Sequence, residues 1–161
     1  MLIRRIEADV LPVCEQYGIG VIPWSPLAGG WLSGRYGKGG ESPGDSRRAQ
    51  MLPSRYDMSI PANQAKLEAA QALGELADEA GMPLIEMALA FVTNHPAVTA
   101  AIIGPRTMEQ LESQLTALET KLSAEVLDRI DEIVPPGTNV NQNDTGWDPP
   151  WITDSLLRRI Q

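Results

Sequence analysis

The stretch VTAAIIGPRTMEQLESQ, Val98–Gln114, decides how the rest of the chain is interpreted. Its first six residues are β-branched or small and apolar, which predicts a short buried strand ending at Ile103. A Gly104-Pro105 turn follows, and Thr107 then stands where the N-cap of a helix is expected. Free N–H groups at a helix start attract anions, and Arg106 adds a permanently charged guanidinium. The pattern indicates a phosphate site, with an ordinary strand–turn–helix and a solvated arginine as the alternative.

The composition predicts one globular domain. The chain has 161 residues, of which 43% are hydrophobic and 21% charged, enough to bury a single core. No apolar run reaches the roughly 20 residues of a membrane span, and no signal sequence is indicated. The net charge of −8 disfavours nucleic-acid binding. The single Cys14 and the single His95 cannot supply a zinc site, and this cysteine usage is typical of a cytoplasmic protein.

The first part of the chain reads as a helix followed by a strand. Apolar residues at helical spacing predict a helix over Leu2–Tyr17, and Gly20–Trp24 reads as a short strand. A loop of about 35 residues, 27–61, is far longer than usual connections. Its members Trp31, Leu32 and Tyr36 are apolar enough to pack on the core.

Helices dominate the rest of the predicted chain. Pro61–Ala80 and Pro83–Asn94 form one pair, a third helix follows Thr107, and Ser123 is the expected N-cap of a fourth. Residues 138–161 form a polar tail with Trp147, Trp151 and a short terminal helix. Two buried strands, each preceded by a helix, predict α/β architecture, but two strands cannot fill a sheet.

Four segments in order carry a family resemblance. They are GIGVIPWSPLAGGWLSGRY (18–36), MALAFVTNHPAV (87–98), AIIGPRTMEQLESQL (101–115) and LSAEVLDRIDEIV (122–134). Together they resemble the C-terminal half of aldo-keto reductases, over about residues 2–137. The resemblance implies the C-terminal part of a TIM (β/α)8 barrel, incomplete here, with Gly20–Trp24 as strand 7 and Val98–Ile103 as strand 8. Residues 1–137 would then be that barrel portion, with the loop 27–61 inside it.

The resemblance also implies an NADP(H) site. Trp24 matches the family's aromatic residue against the nicotinamide, and the pyrophosphate would lie on Ser25, Leu27 and Gly29. The adenosine phosphate would lie on the Gly104-Pro105 turn and the helix after it. The residues expected to contact it are Gly104, Pro105, Arg106, Gln110 and Gln114. Many relatives carry Arg or Lys at the position of Gln110 and Asn at that of Gln114. The preference for NADPH over NADH would therefore depend mainly on Arg106.

No catalytic residue is assigned in this chain. The family's Asp, Tyr, Lys and His tetrad has no counterpart among these motifs, since all four belong to the family's N-terminal half. The first hypothesis is an NADP(H)-dependent oxidoreductase of aldehydes and ketones, inactive alone until paired with the missing N-terminal half. The second is a non-enzymatic half-barrel module for self-association or binding of a partner, because exposed strand edges favour pairing.

Overall fold

The computed structural model describes residues 1–37, 39–145 and 150–154, and helices account for most of its regular structure. Trp147 and most of the expected terminal helix lie outside these ranges. Within them, no helix is long and apolar enough to cross a membrane. The α-helices are α1 (Val10–Gln16), α2 (Arg47–Met51), α3 (Pro61–Glu79), α4 (Leu84–Thr93), α5 (Met108–Leu115), α6 (Ala124–Ile133) and α7 (Pro150–Thr153). Short 3-10 helices cover Arg5–Glu7, Ala28–Gly30, Pro43–Asp45, Pro53–Arg55, Thr116–Leu118 and Gln142–Thr145.

The helix starts follow the expected capping residues. The Thr107 hydroxyl accepts a hydrogen bond from the Gln110 amide at 3.2 Å, at the start of α5. The Ser123 hydroxyl accepts one from the Val126 amide at 3.3 Å, at the start of α6. Both caps satisfy backbone N–H groups that have no partner within the helix, so local sequence determines these boundaries.

The core forms where α3 packs against α4 and α6. Side chains from all three helices are buried there, among them Leu73, Ala77, Met87, Ala88 and Ile130. The loop that precedes α3 adds Trp31, Leu32 and Tyr36, each at most 3% exposed. The prediction that these three loop residues pack on the core is confirmed.

The predicted α/β architecture, the C-terminal part of a (β/α)8 barrel with strands 7 and 8, is wrong for the described residues. Gly20–Trp24 and Val98–Ile103 form no strand and meet only in isolated parallel bridges, Val21 to Val98 and Trp24 to Ile102. The Thr99 and Ile102 amides donate to the carbonyls of Val21 and Pro23, at 2.9 and 2.8 Å. Pro23 has no N–H group with which to continue the ladder. A parallel pair without further neighbours lacks the hydrogen bonds that sustain a sheet.

The chain start is also less helical than expected. α1 begins only at Val10, since Ile3 forms an antiparallel bridge to Asn139 and Arg5–Glu7 is a 3-10 turn. The Asn139 side-chain oxygen accepts hydrogen bonds from the Arg4 and Arg5 amides, both at 3.0 Å. The described start of the polar tail therefore packs against the first residues of the chain.

Candidate functional site

The bridge between Trp24 and Ile102 brings the two segments expected to hold a cofactor to the same end of the parallel pair. Beyond Trp24 the chain enters a loop at Ser25, and beyond Ile102 it enters the turn at Gly104. Gly104 is two residues from the bridge, within roughly 7 Å of it along an extended chain. Ser25 and Gly104 thus follow the bridged residues by one and two positions, although they lie 79 positions apart in the sequence.

A cavity of about 380 Å³ opens beside Trp24. Of the residues expected to bind cofactor, Trp24, Ser25 and Gly29 line it, whereas Leu27 is half-buried and packs on the core. The Trp24 side chain is 62% exposed, so its indole ring is accessible to a ligand. Gly104, Pro105, Arg106 and Gln110 lie outside the lining, and Gln114 borders a separate cavity of about 360 Å³.

The loop from Ser25 to Gly30 is held in an unusual backbone conformation. Ser25 and Ala28 have φ of 53° and 50°, and Gly29 and Gly30 have φ of 70° and 104°. Left-handed backbone costs about 1 kcal/mol or more at a residue that carries a Cβ. The Tyr56 hydroxyl donates to the Gly29 carbonyl at 2.8 Å, and Ala28 N–H donates to the Ser25 carbonyl at 2.8 Å. These bonds hold the loop in one shape along the cavity wall.

Tyr56 connects this loop to a network of buried polar side chains that includes Lys66 and Asp144. Tyr56 stacks on Trp31 with ring centroids 5.3 Å apart, and the Lys66 ammonium lies 4.4 Å from the Trp31 ring centroid. Lys66, 1% exposed, donates to the Asp144 carboxylate at 2.7 Å and to the Arg55 carbonyl at 2.9 Å. A charged pair at such depth is stabilising only while both partners are present.

The network shifts two pKa values through burial. Burial raises the pKa of Tyr56 from 10.0 to about 12, an effect that the neighbouring Arg48 guanidinium partly opposes. Burial lowers the pKa of Lys66, and the Asp144 carboxylate opposes that shift. Tyr56 therefore stays protonated at neutral pH, and the Asp144 carboxylate favours the charged form of Lys66 against the cost of burying it.

Sequence reasoning missed this network, although α3 carried a signal for it. Asn63 and Lys66 recur at helical spacing with the buried residues Ala70, Leu73 and Ala77. Polar side chains on a core-facing stripe require buried partners. Those partners are Asn141, which donates to Asn63 at 2.8 Å, and Asp144, and both lie 78 residues away.

The turn at Gly104–Arg106 is open by contrast. Gly104 and Arg106 are exposed, and the Arg106 amide donates to the Gln110 side-chain oxygen at 2.8 Å. That bond uses the acceptor of Gln110 and leaves its amide group able to donate. Among the described residues, no carboxylate lies within ion-pairing distance of the Arg106 guanidinium. The turn therefore offers an available cation and a donor to an anion.

Comparisons with known proteins agree on a family. The aldo/keto reductase family model matches residues 1–135. Uncharacterized oxidoreductase YrpG of Bacillus subtilis is 38% identical over 138 residues, 85% of this chain and 39% of that protein. A probable voltage-gated potassium channel subunit beta of Oryza sativa subsp. japonica is 33% identical over 134 residues, 81% of this chain and 40% of that protein. An aldo-keto reductase of Pseudocercospora fijiensis is 34% identical over 122 residues, 72% of this chain and 41% of that protein. The chain spans about two fifths of the length of these relatives and belongs to the aldo/keto reductase family.

Proposed function

We propose that this chain binds NADP(H) for an oxidoreductase that acts on aldehydes and ketones. The observation that supports it best is the Trp24–Ile102 bridge, from which the strained loop and the open turn both depart. A dinucleotide needs a surface for its ring and donors for its phosphates within one molecule's length. The exposed indole of Trp24 and the hydrogen-bonded loop after it support the first requirement, and Arg106, four residues beyond Ile102 and without an ion-pair partner among the described residues, supports the second.

Each residue has a distinct proposed role. The exposed face of Trp24 would hold the nicotinamide, which supplies the hydride when the cofactor is bound. The backbone of Ser25, Leu27 and Gly29 would approach the pyrophosphate, where small side chains permit close contact. The turn of exposed Gly104 and half-buried Pro105 would present its backbone beside the adenosine phosphate, together with the side chains of Arg106, Gln110 and Gln114.

The proton donor for carbonyl reduction is proposed to come from another polypeptide segment. The family's catalytic tetrad has no motif counterpart in this chain, so we expect cofactor binding without turnover by the isolated protein. The name of the relative from Bacillus subtilis, an oxidoreductase, and that of the aldo-keto reductase from Pseudocercospora fijiensis are consistent with this chemistry.

Titration of tryptophan fluorescence with NADPH, with NADH in parallel, tests the proposal. We expect saturable quenching that favours NADPH and weakens about tenfold in Arg106→Ala, the usual effect of losing a charge-assisted hydrogen bond. Arg129→Ala is the matched control, because Arg129 is also exposed but pairs with Glu79 on α3. Equal binding by both variants, or no quenching of a folded sample, would contradict the proposal.

A second candidate function is a non-enzymatic interaction module. It is favoured by large apolar side chains that remain more than half exposed, including Ile22, Trp24 and Ile102 at the parallel pair. The Trp24–Ile102 bridge brings two of them together, and exposed apolar patches mark interaction sites. The partner would be a second copy of the chain or a separate polypeptide that completes the oxidoreductase. Sedimentation velocity distinguishes the possibilities, since a monomer at micromolar concentration that binds NADPH would exclude obligate self-association.

A further inference from the structure

The charges around the cavity beside Trp24 are unevenly matched. Glu7 and Asp144 are the carboxylates that line it within the described residues. Glu7 accepts a hydrogen bond from the Arg4 guanidinium at 2.8 Å, and Asp144 binds the Lys66 ammonium at 2.7 Å. Both carboxylates are therefore already neutralised by partners that are nearly buried.

Positively charged side chains are in excess on one wall of this cavity. Arg48 and Arg55 line the cavity close to Tyr56, with Lys66 directly behind them. Arg55 lies 3.7 Å from Asp144 and so shares a carboxylate that Lys66 already holds. No carboxylate of the described residues comes within ion-pairing distance of Arg48. Three cations thus face one carboxylate, in a chain whose net charge is −8.

The remaining walls are mostly apolar, with Ser25, His95 and Thr145 as the polar exceptions. Residues of the chain start, of α1 and of α4 supply them, including Leu2, Ile6, Val10, Leu11 and Phe91. The volume of about 380 Å³ falls in the range of sites for small organic molecules. Arg48 is exposed, so an anion can reach its guanidinium, and the apolar walls beside it strengthen that attraction. A ligand with an apolar body and a negative group matches this lining.

We propose that this cavity binds an apolar organic acid whose carboxylate contacts Arg48, with Arg55 as the second cation. A guanidinium presents two parallel N–H donors that match the two oxygens of a carboxylate. The proposal rests on the proposed function in one respect only: if the chain serves a carbonyl oxidoreductase, the acid is a keto or aldehyde acid. The cofactor's phosphates are the competing source of negative charge for the same guanidinium.

Calorimetric titration of the full chain with 4-acetylbenzoate and with uncharged 4-methylacetophenone tests the proposal. The two probes share the apolar ring and the ketone but differ in the carboxylate. We expect the acid to bind about tenfold more tightly, as one charge-assisted contact predicts. Arg48→Gln should abolish that preference. Arg47→Gln, a neighbour on α2 that does not line the cavity, should retain it.

A second arm repeats the titration in the presence of saturating NADPH. Undiminished acid binding supports a separate acid site, whereas displacement by NADPH overturns the proposal and assigns Arg48 to the cofactor. Equal affinity for both probes, or equal loss in Arg47→Gln and Arg48→Gln, also overturns it. Acid binding without any NADPH binding would refute the proposed function alone, and NADPH binding without acid preference would refute this inference alone.

Discussion

The two turns expected to hold the cofactor differ sharply in how the protein supports them. The loop from Ser25 to Gly30 is strained and tied to Tyr56, and a buried ion pair lies beneath it. The turn at Gly104 is exposed, and a Cβ added there would meet no atom within 4 Å. Buried groups of the fold hold the loop, whereas the turn borders open space and is held only by local hydrogen bonds to Gln110 and Thr107. Mutations should therefore affect stability in the first region and binding in the second.

The largest expected effect comes from removing the carboxylate beneath the loop. Asp144→Ala leaves the Lys66 ammonium, 1% exposed, without its charged partner. Stranding a buried charge costs about 3 kcal/mol or more. Urea unfolding at pH 7 should show a loss of this size in the free energy of unfolding.

Two further variants sharpen this prediction. Glu79→Ala removes a partner of Arg129 from a surface pair with an N–O distance of 3.8 Å, which should cost less than about 0.5 kcal/mol. The double variant Lys66→Met with Asp144→Leu removes both charges and should recover most of the stability. A loss in Asp144→Ala no larger than that in Glu79→Ala would show that the pair does not support the loop.

A pair of glycine substitutions compares the two turns directly. Gly29→Ala places a Cβ 2.7 Å from the Tyr56 hydroxyl oxygen in a backbone with φ of 70°. Overpacking and left-handed strain together should cost about 2 kcal/mol. Gly104→Ala meets open space and should change the free energy of unfolding by less than about 0.5 kcal/mol. Similar losses in the two variants, measured by urea unfolding, would remove the distinction between the turns.

The sequence predicted features that depend on local contacts and missed features that depend on distant ones. The starts of α5 and α6 follow from Thr107 and Ser123, because a capping hydroxyl bonds an amide three residues away. The family was recognised because four local motifs occur in order. The strand assignments failed because an apolar run becomes a strand only when neighbours supply its hydrogen bonds, and that information is not local.

The cavity wall was not predictable for a related reason. Lys66 and Asp144 are 78 residues apart, and no local pattern links an alanine-rich helix to a polar tail. The tail was expected to be a separate polar segment, yet Asn139, Asn141 and Asp144 are nearly buried. Only the buried stripe of α3 indicated that polar partners had to exist.

A smaller loss than that of Gly29→Ala is expected from removing the Tyr56 hydroxyl, which binds the loop through one hydrogen bond to the Gly29 carbonyl. Tyr56→Phe should cost about 1 kcal/mol at pH 8, the typical net value of such a bond.

Because burial raises the pKa of Tyr56 from 10.0 to about 12, the folded protein retains a proton that the unfolded chain releases. The contribution is complete below pH 10 and is lost as the pH rises toward 12. The lowered pKa of Lys66 acts in the opposite direction, but it is common to both proteins. The stability advantage of the parent over Tyr56→Phe in urea unfolding should therefore shrink between pH 8 and pH 11. Tyr17→Phe, which removes an exposed hydroxyl, should leave stability at pH 8 unchanged. An advantage that stays constant with pH would mean that the Tyr56 hydroxyl is not buried in the folded loop.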